Sequence, residues 1–200
     1  FTLGAYPPGT LSDITLRNNQ MKSETRYNVG VLVTYSSMRL ENVLVTQNRV
    51  TSFHGVFYLM NCHDCEYSGN YLFRNSWGNL IASGSQLLIE NNTVWFSGNG
   101  SSGDGITLGP STDTKVMGNQ IINGSCYGMA FGEATRLTIK RNLISHDITS
   151  AIYIAGVPGK TKDVVIEENF FTDNNGYGIL AKKVDGLTVR SNVFRGVPSK

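Results

Sequence analysis

Apolar residues recur along this chain at fixed offsets from one asparagine. That asparagine returns at Asn19, Asn48, Asn70, Asn92, Asn119, Asn142, Asn169 and Asn192, at spacings of 29, 22, 22, 27, 23, 27 and 23 residues. Five residues before it stand Ile14, Val43, Cys65, Leu87, Thr114, Leu137, Val164 and Leu187. Three before it stand Leu16, Val45, Tyr67, Ile89, Val116, Ile139, Ile166 and Val189, and two after it Met21, Val50, Leu72, Val94, Ile121, Ile144, Phe171 and Phe194. Of these 24 places, three in each of eight copies, only Thr114 is polar, where a chain 40% hydrophobic would fill about ten by chance. A period of this length marks a repeat architecture and takes precedence over any local reading.

The apolar places before the asparagine are two residues apart, the period of a strand with alternate side chains inward. Each repeat therefore predicts a strand, a bend at the asparagine and a second short strand. Asparagine suits a bend because its short amide tolerates left-handed backbone angles and satisfies local backbone groups. Stacked copies can also bond to one another as a ladder. A third strand comes about nine residues on, seen as Gly105-Ile-Thr-Leu108, Gly128-Met-Ala-Phe131, Ala151-Ile-Tyr-Ile154 and Gly178-Ile-Leu-Ala181, with Val31-Leu-Val33, Tyr58-Leu-Met60 and Leu80-Ile-Ala82 in the earlier copies. Such a turn is too short for a βαβ unit and too regular for a sandwich, and no segment sustains a helical period. The pattern predicts an all-β chain: a right-handed parallel β-helix of seven to eight coils of 22–29 residues with three short strands each, like strands pairing at about 4.8 Å.

Gly-Ile-x-Leu followed by Leu-x-Ile-x-x-Asn-x-Ile resembles the parallel β-helix repeats of the pectate-lyase-like superfamily. That superfamily includes polysaccharide lyases, some glycoside hydrolases, alginate epimerases and phage tailspikes. The resemblance covers nearly all of the chain. It implies the scaffold and a polysaccharide-related role, but no catalytic motif matches residue by residue, and function on such a scaffold lives in grafted sites.

One unbroken repeat makes residues 1–200 a single domain. A net charge of +2 with 16% charged residues gives no nucleic-acid footprint. No apolar run approaches the length of a membrane span, and no signal peptide is visible at Phe1. The chain opens in mid-pattern, which reads as a fragment of a longer chain. Because the end of a stack exposes strand edges and open core, further coils or a capping domain are expected at one or both ends. Three cysteines leave at least one free thiol if they pair only with each other. Cys62-His63-Asp64-Cys65 lacks the second ligand pair of a zinc site, so neither a metal nor a cofactor is expected. The composition fits an extracellular protein, whether secreted, on a cell surface or in a virion. Asn91-Asn-Thr93, Asn99-Gly-Ser101 and Asn123-Gly-Ser125 match glycosylation sequons, which an asparagine-rich repeat also generates incidentally.

Stacked coils turn equal offsets into surface columns. Four residues after the asparagine come Ser52, Arg74, Phe96, Asn123, His146, Asp173 and Gly196; five after come Phe53, Asn75, Ser97, Gly124, Asp147 and Asn174. This arrangement places His146, Asp147 and Asp173 on one lateral face beside the strand that opens at Asp104, and these four are the candidate catalytic residues. Neighbouring imidazole and carboxylate groups serve as general acid and base, and two carboxylates at the right separation cleave a glycosidic bond. Arg74 and Asn123 are candidates for holding an anionic sugar. Tyr127, Tyr153, Tyr177 and Trp77 are candidates for stacking on sugar faces. The bland alternatives are solvated turn residues for the column and internal packing for the rings. The Gly/Ser/Asn run Ser97–Gly103 is a candidate gating loop, or simply a flexible one. Lys182 and Lys183 read as solubility residues before they read as lyase bases.

The expected function is an extracellular polysaccharide-active module of hydrolase, lyase or epimerase type, binding a glycan in a lateral groove. The competing expectation is a noncatalytic carbohydrate-binding, adhesin or spacer segment of a surface or tailspike protein. Neither nucleic acid nor membrane is an expected partner.

Overall fold

The computed structural model describes residues 2–3, 9–23, 29–34, 38–76, 78–95, 103–146 and 149–196. All strand pairs among them are parallel, and every described element is a strand. One sheet has eight three-residue strands that come immediately after the repeat asparagines: Gln20–Lys22, Arg49–Thr51, Tyr71–Phe73, Thr93–Trp95, Gln120–Ile122, Leu143–Ser145, Phe170–Thr172 and Val193–Arg195. We call it the post-ladder sheet. The remaining strands form a second, 15-stranded sheet that bends around the other sides of the coil.

In the middle coils the two strands expected before the asparagine are one continuous strand each, Gly55–Ser68, Gly78–Glu90 and Asp104–Met117. Later coils break it, as in Tyr127–Phe131 and Ala134–Lys140. The half leading into the bend is the outer sheet; the half ending at the asparagine is the pre-ladder sheet. Gly84 sits where the register shifts, at φ 135°, and a Cβ there would collide with the backbone of Cys62. Only glycine meets both conditions.

The three apolar columns fill the interior. From the second to the seventh coil all of their residues are buried, whereas Ile14, Leu16 and Met21 are half-buried and Leu187, Val189 and Phe194 are exposed. Each fully buried aliphatic side chain contributes roughly 1.5–3 kcal/mol. Thr114, the exception in the pattern, is 1% exposed, and its hydroxyl has no hydrogen-bond partner among the described residues.

The asparagines form a continuous internal ladder. The Oδ1 of Asn142 accepts from both the backbone N–H and the Nδ2 of Asn119, at 2.9 and 3.0 Å. Its Nδ2 donates to Val116 O and to Asn169 Oδ1, both at 2.9 Å. The same linkage runs from Asn19 through each rung to Asn192. The left-handed residue is not the asparagine, as the tolerance of its backbone predicts, but the residue before it: Asn18, Gln47, Gly69, Asn91, Gly118, Arg141, Glu168 and Ser191 have φ between 55° and 62°. The amide's task is internal hydrogen bonding. Two further left-handed columns stand five residues to either side of that left-handed residue, six before the asparagine in every coil and four after it at Ser52, Arg74, Asn123, His146, Asp173 and Gly196.

Cys62 and Cys65 form a disulfide across the corner at Asp64, with both cysteines in the core, and Cys126 takes no part in a disulfide.

Candidate functional site

The residues of the four-after column occupy a left-handed corner. His146 has φ 61° and Asp173 φ 54°, and the His146 N–H donates to Thr172 O while the Asp173 N–H donates to Arg195 O. The two side chains thus sit on adjacent coils, and both residues are exposed. Among the described residues no hydrogen bond or ion pair joins them. Asp173 instead accepts from the Thr172 hydroxyl at 2.7 Å. Arg74 and Asn123 share this corner in their own coils, with φ 56° and 60°. Asn75 and Asn174, which the column arithmetic sets on the same lateral face, point inward and are buried. Asn174 donates to Ile144 O at 3.2 Å. The left-handed turn swings the next side chain into the core, so the lateral face is one residue wide here. Asp147, Trp77 and residues 97–102 of the candidate gating loop lie outside the described residues.

A denser cluster surrounds Asp104 on the outer sheet. Two registered columns three residues apart frame the outer sheet, Gly55, Gly78, Asp104, Tyr127, Ser150 and Tyr177 in one, and Tyr58, Ile81, Thr107, Ala130, Tyr153 and Leu180 in the other; strict alternation is broken between them, since Gly105 and Ile106 are both buried, and Ser150 is buried within its column. The Asp104 carboxylate accepts from the Tyr127 N–H at 3.2 Å and from the Thr107 hydroxyl at 3.0 Å, with the Cys126 thiol as a third donor. Burial nevertheless outweighs these donors and pushes its pKa above the usual carboxylate range. The rings of Tyr127 and Tyr153 stack at 4.6 Å and 18°, and the Lys182 ammonium lies 5.7 Å from the Tyr153 centroid. The Tyr127 hydroxyl is also pushed up, first by loss of solvent and then by the Cys126 thiol beside it. Tyr177 is two coils on in the same column, beyond Ser150, and is 46% exposed. Sequence reasoning names Asp104, Tyr127 and Tyr153 separately but not Thr107 or Cys126. Thr107 was hidden, because it stands three residues after Asp104 and strand alternation would set the two on opposite faces.

Among the described residues no three His, Cys, Asp or Glu side chains converge where they could hold a metal ion.

Fold and faces together define a right-handed parallel β-helix with a polar cluster on its outer sheet. Within that class the chain belongs to the family described as "Periplasmic copper-binding protein (NosD)", whose model matches residues 12–161. A crystal structure of a variant of the periplasmic alginate epimerase AlgG superposes with a TM-score of 0.62 at 13% identity, covering 93% of this chain and 45% of that one. A second structure of AlgG gives a TM-score of 0.56 at 13% identity, covering 88% of this chain and 44% of that one. The chain therefore spans less than half the length of these neighbours, and the likeness is one of fold. A search of curated protein sequences finds no match.

Proposed function

We propose that this chain is a polysaccharide-active β-helix module that holds an acidic glycan across its outer sheet, with Asp104 as the proton-transfer group. The observation that carries the reading is the Tyr127–Tyr153 stack on the coils next to the half-buried Asp104, whose carboxylate accepts from the Tyr127 backbone N–H. Stacked tyrosines offer a platform for the apolar face of a pyranose. Lys182, beside Tyr153, is placed to meet a uronate carboxylate. A carboxyl held toward its protonated form can donate to a leaving glycosidic oxygen or exchange a proton at the uronate carbon bearing the acid group. The fold shared with an alginate epimerase makes acidic polysaccharides the first substrates to try.

Copper, named in the family's description, finds no ligand set among the described residues. Cys62 and Cys65 are bonded to each other, and the two ring nitrogens of His63 are engaged by Ser85 and Asn61. These donors do not fit a copper site, and copper has no part in the chemistry proposed. The disulfide supports an extracellular or periplasmic location, since such bonds persist in oxidising compartments. The exposed Leu187, Val189 and Phe194 of the last coil support further coils or a cap at that end.

The absence of a bond between His146 and Asp173 favours a second reading, a noncatalytic glycan-binding segment. The test is incubation with acidic and neutral polysaccharides, reading new reducing ends, unsaturated uronates and epimer content separately, beside Asp104→Asn. Turnover that the variant loses supports an enzyme at the outer sheet. Turnover that survives removes Asp104 from the mechanism, and binding without turnover selects the second reading.

A further inference from the structure

The post-ladder sheet presents a second, different face. Its strands alternate around the inward residue two after the asparagine, so the first and third residues of each strand face outward, two on each of eight strands. None of these sixteen positions is Asp or Glu. They include Tyr71, Phe73 and Trp95 on neighbouring coils, and Phe170 farther along. The Tyr71 and Phe73 centroids are 6.2 Å apart, Phe73 and Trp95 meet edge-to-face at 5.8 Å, and Trp95 is 42% exposed. Guanidinium groups lie on these rings: Arg49 over Tyr71 at 4.8 Å, Arg74 over Phe73 at 5.1 Å and Arg195 over Phe170 at 5.3 Å.

The arginines here differ from those of the pre-ladder side. There Arg39, Arg136, Arg141 and Arg190 each pair with a carboxylate. Arg49, Arg74 and Arg195 have no ion-pair partner among the described residues, nor has Lys22. A guanidinium stacked on a ring keeps its N–H edge directed away from the ring and available for bidentate bonding to a carboxylate. Arg49, Lys22 and Phe73 also line a surface concavity of about 370 Å³ together with Gln20, Met21 and Thr51.

We infer that this face binds a linear acidic polysaccharide laid along the coil axis. Sugar faces rest on Tyr71, Phe73 and Trp95, and sugar carboxylates take the free edges of Arg49 and Arg74. Rings alternate with guanidiniums that have no ion-pair partner among the described residues, on strands whose outward positions carry no Asp or Glu, the adjoining carboxylate being Asp173 at the corner beside Thr172; this suits a polymer that carries an apolar face and a carboxylate on each unit. A chain of net charge +2 lacks the dense basic footprint of a nucleic-acid groove, which favours the glycan. The inference does not rest on the outer-sheet reading, because the two faces belong to different sheets and share no residue.

The experiment is titration of the whole chain with polymannuronate and polygalacturonate oligosaccharides, a neutral β-glucan and single-stranded oligo-dT, with sedimentation to follow self-association. Arg49→Gln and Trp95→Ala should each weaken uronate binding at least tenfold, with unchanged melting, while Arg136→Gln, whose guanidinium pairs with Asp113 on the pre-ladder side, leaves it within about twofold. Reducing the sugar carboxyls should cost as much as Arg49→Gln. Unchanged uronate affinity in both face variants overturns the inference, as does equal affinity for the neutral glucan or tighter binding of oligo-dT. A dimer that Trp95→Ala dissociates overturns it in favour of a surface between copies. Loss of turnover in Asp104→Asn with uronate binding at this face intact separates the two proposals, since either can then fail alone.

Discussion

The ladder corner and the corner that carries His146 and Asp173 are built alike in the backbone and unlike inside. Each is made by a left-handed residue whose N–H bonds to a carbonyl of the next coil, as Arg141 does to Glu167 and His146 to Thr172. The two corners differ in the residue one position later. At the ladder that side chain is an asparagine in all eight coils, buried from the second to the seventh and fully bonded there. At the other corner it is Phe53, Asn75, Gly124 or Asn174. The left-handed residues themselves vary freely at both. Backbone conformation is thus imposed by the stack, and residue identity is constrained only where a side chain enters the core. A column of exposed corner residues is therefore weak ground for a catalytic site.

Substitutions at four kinds of position test this ordering. The largest effect should come from a charge at an inward position: Ile139→Asp buries an unpaired carboxylate and should cost about 4 kcal/mol or more, unfolding the coil in a thermal melt. Next, Asn142→Ala strips partners from two neighbouring rungs and should cost about 3 kcal/mol, whereas Asn174→Ala at the other corner should cost about 1 kcal/mol. Equal losses in urea denaturation would break the comparison. Thr114→Val removes a buried hydroxyl that has no partner among the described residues and should gain about 1 kcal/mol, read as a rise in Tm; a fall would mean that the hydroxyl is satisfied. Smallest is His146→Ala, an exposed corner residue, which should change stability by less than about 0.5 kcal/mol. A larger loss would mean that the imidazole has a structural duty that its exposure does not reveal.

The core and the coil were legible because a buried position has one requirement, and that requirement recurs at every repeat. Val116, Ile139 and Ile166 could be placed from their offset alone. The surface was legible only in part. Offsets brought His146 and Asp173 to adjacent coils but could not show that Asp173 bonds Thr172 instead. The inward turn of Asn174 was hidden because nothing in a residue's type announces a left-handed neighbour: Arg141, Glu168 and His146 adopt that conformation as readily as Asn91, at a cost of roughly 1–2 kcal/mol that the inter-coil bonds offset. Tyr71 and Phe73 flank the inward Leu72, so alternation alone sets them on the same outer face. The Asp104 cluster needed the inter-coil register, which the irregular loops before Asp104 and Tyr127 obscure.

The asparagine ladder also gives the molecule a direction. Each inner rung passes its backbone N–H and one Nδ2 hydrogen forward to the next side-chain oxygen and its other Nδ2 hydrogen back to a carbonyl of the preceding coil, so the rung-to-rung bonds all run one way along the axis. At Asn19, the first rung, the side-chain oxygen is left without a partner among the described residues, and at Asn192, the last, the backbone N–H and one Nδ2 hydrogen are. Every junction between rungs therefore has a donor side and an acceptor side. A further coil or a second molecule that extends the ladder must add head to tail, because two like ends would set donor against donor or acceptor against acceptor.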